Sequence, residues 1–267
     1  MSGEKLRIYD RTGKAVEDDS LLSCLQKGYE PEDVEIFSGS RWKPCIISIV
    51  GAGGKSSLFY SLSRSMAEDG LNHALMTSAH MWYPEGQAVY NKPEDVKLLG
   101  QMRPGSGLWF GRRDVNNEHK LAPPSGEVIH ELFTYGSPVL VEADGAKGKS
   151  CKVPAAWEPV ILPGTTWVIA VLGMETLGRT IEDSCYRPKE CAAFLNTDIN
   201  HRMTPEDIVT IASSPGGMLK KVEDSMKYTV VLNQADNERL RQTGSRMAEK
   251  LEALGIDVWM TTYREER

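Results

Sequence analysis

The sequence has no excess of positive charge and no long apolar run. Lysine and arginine together number 31 against 37 aspartates and glutamates, so the formal net charge is −6. Proteins that bind nucleic acid non-specifically normally carry a basic excess, so we expect no nucleic-acid partner. No run reaches the ~18 apolar residues of a membrane span, and the first residues lack the apolar core of a signal peptide. We therefore expect a cytoplasmic protein with no membrane partner.

Cysteine is scarce, and its spacing fits no disulfide or metal framework. The sequence has five cysteines and no C-x-x-C pair. Cys185 and Cys191 are too far apart for typical zinc spacing, and an odd number of cysteines disfavours a set of disulfides. We expect buried or inert thiols. Cys151 lies among three lysines, which would lower the pKa of its thiol.

Short apolar segments alternate with amphipathic ones along most of the chain. Segments that are apolar on both faces predict strands of a parallel sheet, with helices covering both sides. Helix-start prolines and helix-end glycines between them support the alternation. The sequence therefore predicts an α/β fold, a three-layer sandwich around a mostly parallel sheet. The main predicted strands lie at 45–50, 73–78, 138–145, 167–173, 228–236 and 256–262.

The domain organisation that we predict is one domain at 45–267 after a peripheral segment at 1–44. Within that segment, residues 6–16 suggest a short hairpin and residues 20–29 suggest a helix. The stretch 79–125 is rich in prolines and polar residues, which predicts an irregular insertion with a strand near LWFGRR.

The sequence GAGGKSS at 51–57 stands between a predicted strand and a predicted helix. It is a shortened form of the phosphate-loop pattern G-x-x-x-x-G-K-[ST]. Its glycines predict a backbone that turns N–H groups inward, and the helix start offers partial positive charge to an anion. We predict that Lys55 reaches the β and γ phosphates and that Ser56 binds Mg²⁺, as in P-loop NTPases. The predicted phosphate site comprises Gly51, Ala52, Gly53, Gly54, Lys55, Ser56 and Ser57.

Two carboxylates close the strand predicted at 138–145. Glu142 and Asp144 are two positions apart, so they share one face of an extended strand and repel each other unless a cation lies between them. A strand that ends in acids and follows a phosphate loop is typical of Mg²⁺ binding in NTPases. We therefore predict that Glu142, Asp144 and Ser56 are the metal ligands.

Basic residues follow the acidic strand end. Lys147, Lys149 and Lys152 either form a solvated loop or contact phosphate or an anionic second substrate. Arg179 and Arg187 either close on the nucleotide as charge stabilisers or form surface salt bridges. The predicted catalytic residues are Lys55, Glu142, Asp144 and Lys147.

The sequence NQAD at 233–236 follows another apolar strand and is close to the N-K-x-D motif of guanine-binding proteins. The aspartate of that motif accepts two hydrogen bonds from guanine, from a donor pair that adenine lacks. A carboxylate left unpaired is costly, so the motif discriminates strongly. We predict that Asn233 and Asp236 bind the base and that GTP is favoured over ATP, with Gln234 in the place of the usual lysine.

Eight motifs occur in a single order along the chain. They are GAGGKSS at 51–57, VEADG at 141–145, KVPAAWEPVI at 152–161, LGMETLG at 172–178, YRPK at 186–189, MTPE at 203–206, SPGGMLK at 214–220 and LNQAD at 232–236. Together they resemble the YqeC family, accessory proteins for selenium-dependent molybdenum hydroxylases, over residues 46–262. More distantly, VEADG is similar to a strand end of the nickel- and cobalamin-metallochaperone GTPases.

The resemblance implies a slow, Mg²⁺-dependent NTPase that assists the maturation of a molybdenum hydroxylase or of a molybdopterin-containing cofactor. Two other functions remain open. The first is an ATP-dependent transferase or ligase that acts on a small anionic cofactor precursor. Its short loop would resemble that of the peptidoglycan-precursor ligases, and it would need a second-substrate pocket and a paired lysine. The second is a nucleotide-binding scaffold without catalysis.

Overall fold

Fourteen strands and six α-helices are formed by residues 6–16 and 45–263, the part of the chain that this computed structural model describes. The strands are β1 (Arg7–Tyr9), β2 (Ile46–Gly51), β3 (His73–Thr77), β4 (Met81–Trp82), β5 (Val89–Tyr90), β6 (Gly107–Phe110), β7 (Arg112–Arg113), β8 (Lys120–Ala122), β9 (Val139–Glu142), β10 (Cys151–Lys152), β11 (Trp167–Gly173), β12 (Cys185–Tyr186), β13 (Lys227–Asn233) and β14 (Asp257–Thr262). The helices are α1 (Lys55–Glu68), α2 (Gly126–Tyr135), α3 (Ile181–Ser184), α4 (Pro188–Phe194), α5 (Pro205–Ser213) and α6 (Glu238–Glu252), with 3-10 turns at Pro93–Gly100 and Met174–Thr176.

Nine of the strands form one central sheet in the order β1-β14-β13-β11-β2-β9-β3-β6-β5. All neighbours pair in parallel except β1, which is antiparallel to β14. Residues 7–9 of the segment predicted to be peripheral therefore extend the sheet at one edge. The helix predicted at 20–29 lies outside the described residues.

Helices cover both faces of the sheet. Successive side chains of a strand point to opposite faces, so one strand can pack against helices on both sides. On β11, Ile169 and Val171 share a buried cluster with α1, whereas Val168 and Leu172 share another with α5 and α6. Helix α2 packs beside this second cluster on Val141 of β9. Each fully buried aliphatic side chain contributes roughly 1.5–3 kcal/mol to stability. The predicted three-layer α/β sandwich is confirmed.

The parallel strands bring their carboxyl ends to one edge of the sheet. Strand β2 lies between β11 and β9, with Gly51 opposite Val171 and Ile49 opposite Glu142. On the other side of β11, Gly173 lies opposite Asn233. The glycine loop, the two acids and the segment 233–236 therefore meet at this edge, where parallel α/β sheets bind ligands.

The stretch 79–125 contributes to two sheets. Strands β5 and β6 lengthen the central sheet beyond β3, while β4, β7 and β8 form a small antiparallel sheet. No helix in the described ranges has the length and apolar character needed to cross a membrane.

Helix α5 begins with a reciprocal capping box, which gives a test of local stability. The Thr204 hydroxyl accepts a hydrogen bond from the Asp207 N–H at 3.2 Å, and the Asp207 carboxylate accepts one from the Thr204 N–H at 2.8 Å. We expect Thr204→Ala to lower the free energy of unfolding by about 1 kcal/mol, measured by urea denaturation. Thr134→Ala is the control, because its hydroxyl bonds only to the His130 carbonyl within α2. Equal losses in the two variants would contradict the capping role.

Candidate functional site

The glycine loop after β2 is pressed against the end of β11. Gly51 has φ of +97°, and a Cβ there would lie 2.2 Å from the Val171 carbonyl oxygen. Gly53 has φ of +82°, and a Cβ there would lie 2.4 Å from the Gly173 Cα. Only glycine fits both the left-handed backbone and the close approach. The loop is therefore held in one shape by the neighbouring strand.

The first N–H groups of the loop are bonded within the protein. The N–H of Gly51 donates to Asp144 Oδ2 at 3.0 Å, that of Ala52 to the Val171 carbonyl, and that of Gly53 to the Lys149 carbonyl. The expectation that these groups turn inward to a phosphate is not met, because the 144–149 segment and β11 accept their hydrogen bonds. Among residues 6–16 and 45–263, no side chain caps the start of helix α1. Its first N–H groups, at residues 54–57, remain the donors for an anion.

Lys55 is folded back over the loop. Its Nζ donates to the Gly51 carbonyl at 2.6 Å and lies 3.2 Å from Asp144 Oδ1. Both charged side chains are buried, Lys55 with 6% and Asp144 with 0% of its surface exposed. The ammonium is thus kept at the uncapped start of α1 by the protein's own acceptors. An incoming phosphate at this position would exchange those contacts for its own oxygens.

Asp144 begins a chain of alternating charges. Lys152 Nζ lies 3.0 Å from Asp144 Oδ2 and 2.8 Å from Glu158 Oε2, and Arg187 Nη1 lies 2.6 Å from the same Glu158 oxygen. Burial raises the pKa of Glu158, but hydrogen bonds from Lys152 and Arg187 outweigh burial and hold it below its ordinary value. Lys152 is fully buried. It therefore fixes the Asp144 carboxylate in place rather than lying in a solvated loop.

Glu142 faces the same edge beside Ser56. The Ser56 hydroxyl donates to Glu142 Oε2 at 3.3 Å. Burial raises the pKa of Glu142, and the charge of Asp144 adds to this effect while that of Lys55 opposes it.

The pair formed by Glu142 and Ser56 fits a divalent cation, because a cation would compensate the buried carboxylate. No group of three or more histidines, cysteines, aspartates or glutamates within residues 6–16 and 45–263 is arranged to hold a metal by itself. A Mg²⁺ ion here would need further ligands from phosphate and water, which is its usual preference.

A lysine that the sequence did not single out also acts on this edge. Lys120 lies on β8 of the small sheet, with Nζ 3.4 Å from the centroid of the Trp82 ring. Its charge lowers the pKa of Glu142, and burial lowers the pKa of Lys120 itself. The proline-rich composition of residues 79–125 did not indicate that a lysine of this stretch influences Glu142.

The segment 233–236 is tied directly to the loop. Asn233 Nδ2 donates to the Gly53 carbonyl at 2.7 Å, and Asn233 Oδ1 accepts from Thr261 at 2.8 Å. Asp236 accepts a hydrogen bond from the Thr262 hydroxyl. Gln234 has φ of +64°, and its side chain lies beside Gly173 and donates to Glu175. The structure therefore brings Asn233 into contact with the loop, and Asp236 follows on the same segment. Direct contact of either side chain with a base stays a prediction.

Lys147 lies on the outside of this region. It is exposed, with φ of +46°, and its Nζ is 5.8 Å from the centroid of the Tyr186 ring. Its predicted catalytic role stays a prediction, as does the predicted phosphate contact of the exposed Ser57.

Cys151 meets two cysteines of a later segment, Cys185 and Cys191, beside the loop. Strand β10 pairs with β12 so that Cys151 lies opposite Cys185, and Cys191 Sγ lies 3.5 Å from Cys185 Sγ. All three are buried and free. A hydrogen bond with Cys185, together with burial, raises the pKa of Cys151. The expectation that nearby lysines lower this pKa is wrong, because Cys151 points into the core among thiols.

Comparison with known proteins identifies a family. The model of the YqeC family, described as YqeC protein, matches residues 47–189, more than half of the chain. The chain belongs to the YqeC family. A relative from Escherichia coli strain K12, "Uncharacterized protein YqeC", is 25% identical over 241 residues, which cover 88% of this chain and 94% of the relative. The resemblance found in the motifs is therefore confirmed.

The range that the YqeC family model matches includes one part of the candidate site and leaves out another. The matched range contains the glycine loop, Glu142, Asp144 and the Lys152–Glu158–Arg187 chain. It ends before the segment 233–236. The phosphate end of the candidate site thus lies within the matched family range, and the candidate base end lies outside it.

Proposed function

We propose that this YqeC family member is a Mg²⁺-dependent nucleotide-binding protein, a slow NTPase that favours GTP over ATP. The observation that carries the proposal is the position of Lys55. Its ammonium lies at the uncapped start of α1, on the Gly51 carbonyl and Asp144. A buried cation, free helix-start N–H groups and a rigid glycine loop together suit a polyphosphate.

In this proposal Lys55 leaves the Gly51 carbonyl and binds the β and γ phosphates. Asp144 does not lose its charge balance when this happens, because Lys152 and the Gly51 N–H hold it. The N–H groups at the start of α1 bind phosphate oxygens and need no reorganisation. Preorganised donors of this kind are the main source of catalysis in phosphoryl transfer.

Ser56, Glu142 and Asp144 would hold Mg²⁺, with Glu142 as the side chain best placed. Bound Mg²⁺ neutralises charge on the phosphate oxygens. Glu142 also suits a second task, because a buried carboxylate with a raised pKa is a stronger base towards an attacking water than an ordinary one. We propose Glu142 as the residue that orients this water.

The base would be bound by Asp236. Its carboxylate is oriented by the Thr262 hydroxyl, and Asn233 keeps this strand end fixed to the loop. A role in the maturation of a selenium-dependent molybdenum hydroxylase, or of its molybdopterin-containing cofactor, is supported by membership of the YqeC family alone.

Base selection tests this proposal. We expect wild-type protein to bind GTP at least tenfold more tightly than ATP. We expect Asp236→Asn to lose about 100-fold in GTP affinity, since two hydrogen bonds to a carboxylate are each worth about 1.5 kcal/mol or more. Xanthosine triphosphate has a carbonyl where GTP has its exocyclic amine, so Asp236→Asn should gain affinity for it. Calorimetric titration measures all three nucleotides.

Asp236→Ala is the control for this titration, because it removes the acceptors and offers no amide to xanthosine triphosphate. Equal binding of ATP and GTP that neither variant changes would contradict a base-reading role for Asp236.

One observation favours a transferase or ligase instead. That function needs a paired lysine near the phosphates, and Lys152 is fully buried between Asp144 and Glu158. ATP preference together with phosphate release only in the presence of an acceptor would support it. Nucleotide binding without any turnover would support the scaffold.

A further inference from the structure

A cavity of about 600 Å³ lies next to the glycine loop, between the segment after β11 and helix α6. It begins at Met174, the residue after Gly173. Gly173 packs against Gly53 of the loop and donates its N–H to the Ser150 carbonyl. The lining of the cavity therefore includes the residue that directly follows Gly173, the glycine that contacts Gly53 of the loop. Its apolar floor is formed by Met174, Leu177, Met203 and Leu240.

Three arginines surround this floor. Arg179 follows the turn after β11, Arg239 lies in the first turn of α6, and Arg246 lies near its middle. Within the described ranges, none of the three forms a salt bridge with a carboxylate, and Arg246 bonds only to the Thr243 hydroxyl at 3.3 Å. One acid, Glu175, also lines the cavity, and Gln234 donates to it. The rim thus keeps a positive excess.

We propose that this cavity binds a small anionic ligand with an apolar or aromatic body, in a subsite separate from that of the nucleotide. The volume is in the usual range for small-molecule sites, about 300–1,000 Å³. Guanidinium groups bind carboxylates, phosphates and sulfonates through paired hydrogen bonds, and they stack on planar rings. The apolar floor takes the body of the ligand while the arginine rim takes its charge.

This inference goes beyond the proposed function and does not depend on it. The carboxylate of Asp236 is oriented by Thr262 on β14. The cavity is lined mainly by α6 and by the turn after β11, and it reaches Asn237, the residue after Asp236. A protein with both sites would hold two ligands along one edge of the sheet. The first part of α6, with its positive dipole end, adds to the attraction for an anion.

The test uses 8-anilinonaphthalene-1-sulfonate, a naphthalene body with one sulfonate, and the neutral N-phenyl-1-naphthylamine as its uncharged counterpart. We expect the wild-type protein to bind one sulfonate probe per chain, by fluorescence titration and calorimetry. Arg179→Gln combined with Arg239→Gln should weaken this probe about tenfold or more and leave the neutral probe unchanged. Arg103→Gln combined with Arg112→Gln removes the same charge elsewhere and should change neither.

Two outcomes would overturn the proposal. One is sulfonate binding that the Arg179 and Arg239 substitutions leave as in wild type, or that they weaken no more than the control pair does. The other is displacement of the sulfonate probe by saturating GTP and Mg²⁺, which would make the cavity part of the nucleotide site. If the protein binds no nucleotide at all, the proposed function fails while the probe titration still decides this inference.

Discussion

Lys152→Met is expected to lower the free energy of unfolding by about 3 kcal/mol or more. The substitution keeps most of the side-chain volume but removes the ammonium that lies between Asp144 and Glu158. Asp144 has no exposed surface, so water cannot replace the lost partner. Removing one member of a buried ion pair typically costs about 3–5 kcal/mol. Asp144 keeps Lys55 and Glu158 keeps Arg187 in this variant, which places the expected loss at the lower end of that range. Urea denaturation measures the change.

Lys149→Met is the matched control for Lys152→Met. Lys149 is a near neighbour, but within the described part of the chain its Nζ bonds only to the carbonyls of Asp183 and Glu182. We expect it to change stability by less than about 1 kcal/mol. If the two variants lose the same amount, Lys152 does not hold the two carboxylates and the charge chain has no structural role.

Glu142→Gln is expected to slow nucleotide hydrolysis by about 100-fold or more at saturating Mg²⁺ and nucleotide, where weaker Mg²⁺ binding does not limit the rate. Glutamine keeps the shape beside the Ser56 hydroxyl but cannot accept a proton from water. Loss of a general base typically reduces the rate by about 10²–10⁴-fold. Single-turnover phosphate release measures the rate, and calorimetry measures the affinity.

The pH profile gives Glu142→Gln a second readout. Hydrolysis needs the ionised carboxylate, and burial raises the pKa of Glu142. The wild-type rate should therefore fall as the pH is lowered and Glu142 takes up a proton. The residual rate of Glu142→Gln should not show this fall at low pH. Glu127→Gln on α2 is a control that should match wild type. If Glu142→Gln hydrolyses nucleotide at the wild-type rate, Glu142 has no role in the mechanism.

Much of the fold follows from local sequence. Strand β2 was predicted at 45–50 and is formed by Ile46–Gly51, and the strand predicted at 167–173 is β11. Such strands are buried on both faces, so their apolar runs are unmistakable. The pairing of β1 with β14 could not be predicted, because it joins residues about 250 positions apart and a three-residue strand carries little periodicity.

The location of the candidate site at one edge of the sheet could also be predicted from the sequence. The contacts between its side chains could not. Parallel strands place their carboxyl ends together, which brings 51–57, 142–144 and 233–236 to one edge. The role of Lys152 depends on β10, which pairs with the distant β12. That pairing also brings Cys151 to Cys185. The charge of Lys120 lowers the pKa of Glu142 from a stretch whose composition indicates only irregular structure.

Nucleotide binding to the glycine loop is tested by titrating wild type and Lys55→Ala with GTP and ATP, each with Mg²⁺ and with a chelator. Lys55→Ala removes the ammonium at the start of α1 but leaves Asp144 paired with Lys152, so its unfolding should remain cooperative. We expect saturable binding by wild type that requires Mg²⁺ and that weakens about 100-fold in Lys55→Ala. Absence of binding by folded wild-type protein, or equal binding by Lys55→Ala, would contradict this expectation and make the glycine loop a structural turn.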